Sequence, residues 1–183
     1  MTPVKNPPEA LPVRIGHGFD LHRLESLPPD GEGKPFILAG VTFEHPVGPV
    51  GHSDGDAVFH AVTDALLGAI GEPDIGQLFP DTDPVNEGRD SSDFLREASR
   101  RIREAGFAIG NLDVTVVCER PKLNPMKSTM IENLARVLDC DTRQVNIKGK
   151  THEQVDAIGE GRAVAVHVVV LLTSCKNSGP EMK

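Results

Sequence analysis

The sequence predicts an α+β domain in which a mixed β-sheet carries three main helices on one face. Several segments rich in β-branched residues are typical of strands, and three longer segments repeat apolar residues at helical spacing. Some neighbouring strands can pair antiparallel without a helical crossover, which favours α+β over a purely parallel sheet. The chain has 183 residues, a length typical of one domain, and we expect that domain at residues 13–174.

The two ends of the chain are predicted to be tails. Residues 1–12 contain four prolines and no apolar stretch, so we expect a disordered N-terminal tail and no secretory signal. We expect residues 175–183 to form a flexible C-terminal tail.

The predicted strands follow from alternation and from β-branched content. The segment 36–47 predicts a strand pair or hairpin that turns at Ala39-Gly40, and a Pro- and Gly-rich loop at 24–35 precedes it. The remaining strands are predicted at 13–24, 112–119, 144–151 and 161–174.

The first predicted helix covers 57–71. Ser53 or Asp54 can cap its start, and Gly68 and Gly71 weaken and end it. An irregular acidic loop at 72–84 follows.

The second and third predicted helices are amphipathic and cover 91–106 and 127–139. In the second, Ser91 or Ser92 would cap the start and Gly106 would end it. Its apolar positions at helical spacing are Leu95, Ala98, Ile102 and Ala105.

Composition excludes two classes of partner. The formal net charge is -8, which argues against nucleic acid, since phosphate neutralisation needs clustered Lys and Arg. The longest apolar run, at 163–172, is too short to cross a bilayer. The three cysteines are widely spaced and form no C-x-x-C motif, which predicts reduced thiols and a cytoplasmic location.

A candidate metal site comes from two segments. Asp20 and His22 are two residues apart in a predicted strand, so their side chains point the same way. His60 lies in the first helix, with Asp56 and Asp64 one turn before and after it. Asp20, His22 and His60 would make a zinc shell of three ligands with one open position. The alternative is that the first two are surface residues and His60 is a core histidine.

A candidate phosphate site precedes the first helix. His52 and Ser53 stand where backbone N–H groups of a helix start bind anions. The alternative is plain capping by Ser53, Asp54 and Asp56.

Three polar loops are further candidates. The loop 74–83 has carboxylates that suit a polyol, or it is merely solvated. The loop 119–125 is shaped by two prolines and suits a base edge, with Lys122 available to a phosphate. In 148–153, Thr151 suits a phosphoryl oxygen and Glu153 suits Mg²⁺. Polar surface loops are the alternative for the last two.

Five stretches, taken in order, resemble the 2-C-methyl-D-erythritol 2,4-cyclodiphosphate synthase family. They are RIGHGFDLHRL, GHSDGDAVFHAVTDALLGAIG, DIGQLFPDTDP, LDVTVVCERPKL and NIKGKTHE. The resemblance runs from about Arg14 to Leu172. It implies a homotrimer with active sites between neighbouring subunits. It also implies a lyase of non-mevalonate (MEP) isoprenoid biosynthesis that converts 4-diphosphocytidyl-2-C-methyl-D-erythritol 2-phosphate into the cyclic diphosphate and CMP.

The resemblance also implies roles for individual residues. Asp20, His22 and His60 would hold Zn²⁺, and Glu153 would hold Mg²⁺ or Mn²⁺. His52 and Thr151 would stabilise charge at the reacting phosphates. The implied substrate-binding residues are Ser53, Asp74, Ile75, Gly76, Phe79, Pro80, Asp81, Thr82, Asp83, Cys118, Glu119, Arg120, Pro121, Lys122, Leu123, Asn124, Lys150 and His152.

One stretch departs from the bacterial pattern of this family. Glu160 and Arg162 occur in GEGRAVA, with the two charges exchanged relative to a G-R-G-E-G run, and this resembles the plant type. Two other functions stay open: a zinc phosphohydrolase that uses the same three ligands with water as nucleophile, and a trimeric nucleotide- or isoprenoid-binding protein without catalysis.

Overall fold

A five-stranded mixed sheet forms the centre of the fold. The computed structural model describes residues 12–175, so the predicted tails lie outside the described residues except for residues 12 and 175. The strands are β1 (Val13–Ser26), β2 (Phe36–Leu38), β3 (Val41–Phe43), β4 (Val47–Pro49), β5 (Phe107–Val117), β6 (Val145–Lys150) and β7 (Ala163–Ser174). The sheet order is β4-β1-β7-β5-β6, and β2 and β3 form a separate hairpin. The β5–β6 pair is parallel, while β7 is antiparallel to both β1 and β5. The α+β prediction with a mixed sheet is confirmed.

The helices are α1 (Ala57–Ile70), α2 (Ile75–Leu78), α3 (Ser91–Glu104), α4 (Lys127–Leu138) and α5 (Asp156–Gly159). The three long ones contact the sheet, α1 on β1 and β7, α3 on β5 and α4 on β6. Along β7 the even-numbered residues Val164 to Leu172 are buried, while the odd-numbered His167 and Val169 are exposed. The long helices therefore cover one face of the sheet.

Helix α1 approaches β1 unusually closely, and two glycines permit it. A Cβ atom placed on Gly16 or Gly18 would lie 1.8 Å from the carbonyl oxygen of Ala65 or Ala61, respectively. Any side chain at either position would push the helix away from the strand. This contact fixes the position of α1 relative to the strand that carries Asp20 and His22.

The predicted cap of α1 was wrong. Asp56 is the N-cap, and its carboxylate accepts backbone hydrogen bonds from Val58 and Phe59. The same carboxylate accepts the N–H groups of Ala39 and Gly40 in the β2–β3 turn at 2.9 and 2.6 Å. A carboxylate that can satisfy four buried donors outcompetes a serine at this position.

The predicted cap of α3 was also wrong, because Asp90 caps the helix through the backbone N–H of Ser92 at 2.8 Å. Helix α1 continues through Gly68 and ends at Gly71, which adopts the left-handed conformation at φ 76°. The turn at Ala39-Gly40 is confirmed. The loop 72–84 is less irregular than predicted, since it contains α2.

None of the helices in residues 12–175 is both long and apolar enough to cross a membrane.

Candidate metal and phosphate site

Three side chains that could ligate a metal ion, those of Asp20, His22 and His60, converge where β1 faces α1. The Asp20 Oδ2 atom lies 2.9 Å from His22 Nδ1 and 3.3 Å from His60 Nδ1. One candidate ligand atom from each residue lies within 4.8 Å of the other two. The two-residue spacing in β1 brings Asp20 and His22 together, and the close approach of α1 adds His60. The sequence prediction that these three meet is confirmed by this geometry.

The electrostatics of this cluster suit a cation. Burial alone would raise the pKa of Asp20, but hydrogen bonds with His22 and His60 outweigh it and lower the pKa to about 2. Burial opposes charge on His60, yet Asp20 outweighs that effect and the pKa of His60 is raised. Asp20 Oδ2 and His22 Nδ1 are both buried and lie 2.9 Å apart, but within residues 12–175 neither atom makes a hydrogen bond of good geometry. Buried polar atoms without partners are costly, so a metal ion is the partner that this arrangement fits.

The second ring nitrogen of His60 faces two hydroxyls. His60 Nε2 lies 2.8 Å from Ser91 Oγ and 3.1 Å from Ser53 Oγ. Ser91 in turn donates to Asp54. Sequence reasoning treated Ser91 and Asp54 only as possible helix caps, and their sequence positions give no sign that they meet beside His60.

A pocket of about 370 Å³ opens beside this cluster. Of the predicted residues, it is lined by His22, His52, Ser53, His60, Ile75, Gly76, Phe79 and Asp81. The sequence analysis missed three lining residues, Gly51, Asn86 and Phe94. The ring centroids of Phe79 and Phe94 lie 4.6 Å apart with their planes tilted by 38°, and the Arg89 guanidinium lies 5.3 Å from each ring centroid.

The acidic loop uses part of its charge to hold its own shape. Asp74 caps α2 through the Gln77 backbone N–H at 2.9 Å, and Asp83 caps a 3-10 turn at Pro84–Asn86. The predicted residues Asp74, Pro80, Thr82 and Asp83 are not among those that line the 370 Å³ pocket. Thr82 and Asp83 instead line an adjoining cavity together with His52 and Asp81.

His52 sits at the border of the two cavities, and its backbone is fixed. Its carbonyl oxygen accepts hydrogen bonds from Gly88 N at 2.7 Å and from Lys34 Nζ at 2.9 Å. Lys34 also reaches the Ser53 carbonyl at 2.5 Å. The Lys34 ammonium group therefore lies against the backbone of His52 and Ser53, the two residues predicted to bind phosphate. The sequence did not indicate that Lys34 lies there.

The remaining predicted residues form a second group at the ends of β5 and β6. Glu119 Oε1 accepts the backbone N–H of His152 at 2.8 Å, which ties the two loops together. Thr151 Oγ1 donates to Glu153 Oε1 at 2.8 Å, with Glu153 in a left-handed conformation at φ 51°. The other members are Cys118, Arg120, Pro121, Lys122, Leu123, Asn124 and Lys150.

Two members of this second group, Cys118 and Leu123, have buried side chains that pack within the protein. The Cys118 thiol is buried and donates to the Pro121 carbonyl at 3.8 Å, and burial raises its pKa to about 11. Leu123 is buried in the core, against Gly149. Because both side chains are buried, any contact that these two residues make with a ligand would come from their backbone.

The two groups lie at the same end of the sheet but on different strands. Asp20 pairs with Val166, Val166 pairs with Val116, and Val116 pairs with Gly149. Three strand spacings separate β1 from β6, or roughly 14 Å. Within residues 12–175, no hydrogen bond joins the metal cluster to the Thr151 loop. Nearby, Arg162 Nε donates to Glu160 at 2.8 Å, so the exchanged charges form an ion pair.

Comparison with known proteins gives concordant matches. The family model described as the YgbB family matches residues 13–173. The chain is 53% identical over 165 residues to the 2-C-methyl-D-erythritol 2,4-cyclodiphosphate synthase, chloroplastic, of Oryza sativa subsp. japonica, covering 90% of this chain and 72% of the relative. It is 49% identical over 160 residues to the synthase of the same name from Pectobacterium atrosepticum, covering 87% and 93%.

Solved structures match as well. The IspF protein of Plasmodium falciparum in complex with CDP has a TM-score of 0.78 and 36% identity, covering 91% of this chain and 99% of that chain. A 2C-methyl-D-erythritol-2,4-cyclodiphosphate synthase in its CDP-bound form has a TM-score of 0.77 and 42% identity, covering 87% and 99%.

Proposed function

The chain belongs to the YgbB family, and we propose from this premise that it catalyses a ring closure. It converts 4-diphosphocytidyl-2-C-methyl-D-erythritol 2-phosphate into 2-C-methyl-D-erythritol 2,4-cyclodiphosphate and CMP, in the non-mevalonate route to isoprenoids. The observation that carries this function is the half-buried cluster of Asp20, His22 and His60, which opens into a pocket lined by His52 and Ser53.

We assign Asp20, His22 and His60 to Zn²⁺. Two imidazole nitrogens and one carboxylate oxygen are ligands that zinc accepts, and three protein ligands leave a position for substrate. The unpartnered Asp20 Oδ2 and His22 Nδ1 support the assignment. When bound there, zinc would supply positive charge to a phosphate group.

We assign Glu153 to Mg²⁺ or Mn²⁺. A single carboxylate completed by phosphate oxygens and water is the usual protein contribution to Mg²⁺. The hydrogen bond from Thr151 orients the Glu153 carboxylate, and the backbone of the loop is held by Glu119.

The chemistry needs positioning more than a protein nucleophile. An oxygen of the 2-phosphate attacks the β-phosphorus, the bond from that phosphorus to the bridging oxygen breaks, and CMP leaves with the electron pair. Because the attack is intramolecular, holding both phosphates in line supplies much of the acceleration. His52 would donate to the phosphoryl oxygens as their charge redistributes, and Thr151 would do so by turning its single hydroxyl proton from Glu153 towards a phosphoryl oxygen.

The remaining predicted residues would hold the two ends of the substrate. Loop 74–83 would surround the methylerythritol part, and loop 118–124 the cytidine part. The side chains of Asp74 and Asp83 are already engaged as caps, so Asp81, which lines the pocket, is the carboxylate best placed to accept a substrate hydroxyl.

We further propose a homotrimer in which each active site combines the metal cluster of one chain with the Thr151 loop of its neighbour. The uncovered face of the sheet exposes Ile15, Phe19, Leu21 and Val169 by 48 to 70%. An apolar patch of this kind is typical of a protein interface. The metal cluster lies on β1 and the Thr151 loop follows β6, three strands away at the same end of the sheet. A closed ring of chains would therefore bring the metal cluster of one chain next to the Thr151 loop of its neighbour.

We also propose a cytoplasmic location, on the basis of the reduced thiols of Cys118 and Cys140. Several plant relatives carry the word chloroplastic in their names, which makes an organelle the alternative. Localising a fluorescent fusion of the full-length protein in its source cell distinguishes the two.

The test of function is ³¹P NMR of the protein with the CDP-linked substrate, Zn²⁺ and Mg²⁺. We expect CMP and two coupled ring phosphorus signals in equal amounts. A linear diphosphate would contradict the proposal and support the zinc phosphohydrolase. Unchanged substrate with folded, zinc-loaded protein would support the binding protein without catalysis.

A further inference from the structure

Two polar residues outside the metal cluster contact His60 in a chain. Ser91 Oγ lies 2.8 Å from His60 Nε2 and donates its proton to Asp54 Oδ1. Asp54 Oδ2 also accepts the backbone N–H of Ser91 at 3.1 Å. The Asp54 carboxylate therefore holds Ser91 at two points, across the junction between the loop before α1 and the start of α3.

The direction of these hydrogen bonds fixes the tautomer of His60. A carboxylate only accepts, so the single hydroxyl proton of Ser91 goes to Asp54. Ser91 Oγ is then left as an acceptor, and the only group that can donate to it from His60 is a protonated Nε2. The neutral ring that satisfies Ser91 carries no proton on Nδ1, which is the nitrogen that faces Asp20 Oδ2 at 3.3 Å.

Ser53 does not fix the tautomer in the same way. Its Oγ lies 3.1 Å from His60 Nε2 and accepts the backbone N–H of Gly55 at 3.2 Å. Among the contacts in residues 12–175, no carboxylate accepts the Ser53 hydroxyl proton, so that proton is free to rotate. The Ser53 hydroxyl can therefore donate to a substrate phosphate, whereas the Ser91 hydroxyl already donates to Asp54.

We propose that Ser91 and Asp54 are a positioning pair that orients His60 and leaves its Nδ1 free for the metal. This inference rests on the proposed zinc site and adds to it two residues that touch neither metal nor substrate. Hydrogen bonds to the outer nitrogen of a metal-bound histidine set its orientation and basicity, and their loss usually weakens metal binding about 10- to 100-fold.

The experiment measures the Zn²⁺ dissociation constant by competition with a chelator, for the full chain and three variants. Ser91→Ala removes the acceptor, and we expect about 10- to 100-fold weaker binding. Ser92→Ala is the matched control, because this neighbour is also buried and, among the contacts in residues 12–175, its hydroxyl bonds neither His60 nor Asp54. We expect its affinity to stay within about twofold of the original.

A double-mutant cycle separates a pair from two independent effects. If Asp54 acts only through Ser91, the double variant Ser91→Ala/Asp54→Asn should bind Zn²⁺ no less tightly than the single variant that has the larger Zn²⁺ dissociation constant. Losses that add in full would overturn the pairing. Should Asp54→Asn fail to fold, as judged by circular dichroism, the comparison of Ser91→Ala with Ser92→Ala decides alone.

A spectroscopic readout tests the tautomer directly. In the zinc-loaded protein with ¹⁵N-labelled histidine, the Nε2 proton of His60 should give a downfield signal that moves upfield in Ser91→Ala and stays in Ser92→Ala. Zinc bound by the original protein but unaffected by Ser91→Ala would overturn this inference and leave the proposed function standing. Failure of the original protein to bind zinc would instead overturn the proposed function.

Discussion

Substituting Gly18 by alanine should break the metal site without touching any of its ligands. A Cβ atom at this position would lie 1.8 Å from the Ala61 carbonyl oxygen, whereas real Cβ atoms essentially never approach within 3.0 Å. Helix α1 must therefore move by at least about 1.2 Å from β1. His60, which precedes Ala61, moves with it, although its Nδ1 must stay 3.3 Å from Asp20 Oδ2 for the cluster to hold. Metal–ligand distances tolerate only about 0.2 Å, so we expect zinc affinity to collapse.

The assay for this variant combines zinc titration with urea unfolding of the metal-free protein. Forced overpacking costs about 1–3 kcal/mol of unfolding free energy, so the variant should remain folded while it loses zinc. The matched control is Gly68→Ala on α1, where an added Cβ meets nothing within 4 Å. It should gain about 0.5–1 kcal/mol from helix propensity and keep its zinc affinity. A Gly18→Ala protein that binds zinc like the original would refute the reasoning that the close contact positions His60.

Three further predictions concern stability and reactivity. Hydrogen bonds from Arg100 and then Arg101 lower the pKa of Glu97 from 4.5 to about 2, so its ionised form stabilises the fold above pH 4.5 and this stabilisation is lost as the pH falls towards 2. Glu97→Gln should cost no more than about 1 kcal/mol at pH 7, because the pair is exposed, and nothing near pH 2; a pH-independent difference in urea unfolding would contradict this. The Cys118 thiol, with its pKa raised to about 11 by burial and then by Glu119, should hold about 100-fold less thiolate at pH 8 than an ordinary cysteine. Mass spectrometry after iodoacetamide should find it unmodified in the native protein, and modification at the rate of the unfolded chain would argue against this. Asp56→Asn turns one carboxylate oxygen into an NH2 group that cannot accept. Oδ1 accepts from Ala39, Val58 and Phe59, and Oδ2 accepts from Gly40. At least one of the four backbone donors therefore loses its acceptor, which should cost about 1–3 kcal/mol in urea unfolding; an unchanged midpoint would mean that these bonds are dispensable.

The parts of the fold that local patterns specify were predictable from the sequence. The alternation in β1 and the helical spacing of apolar residues in α3 each placed an element correctly, because burial on one face imposes those periods. The Asp20 and His22 pair was predictable for the same reason, since residues two apart in a strand share a side. That His60 joins them depends on Gly16 and Gly18, whose role is visible only once α1 lies on β1.

What could not be predicted depends on contacts between distant segments. Asp56 caps α1 and also accepts backbone N–H groups of the β2–β3 turn, including that of Ala39, which lies seventeen residues earlier in the chain. Ser91 reaches His60 from α3, thirty-one positions along the chain. Nor could the sequence show that three strand spacings separate the metal cluster on β1 from the Thr151 loop at the end of β6.

Complementation between two inactive variants tests our proposal that two neighbouring chains share each active site. His60→Ala removes the metal half and Thr151→Ala removes the other half, so each protein alone should be inactive in CMP release. The two variants are mixed, unfolded together and refolded. With random assembly, about a quarter of the sites would combine one intact half from each neighbour, so we predict recovery of about a quarter of the original activity. If the mixture stays as inactive as its components while the original protein recovers by the same procedure, the site lies within a single chain and the account is contradicted.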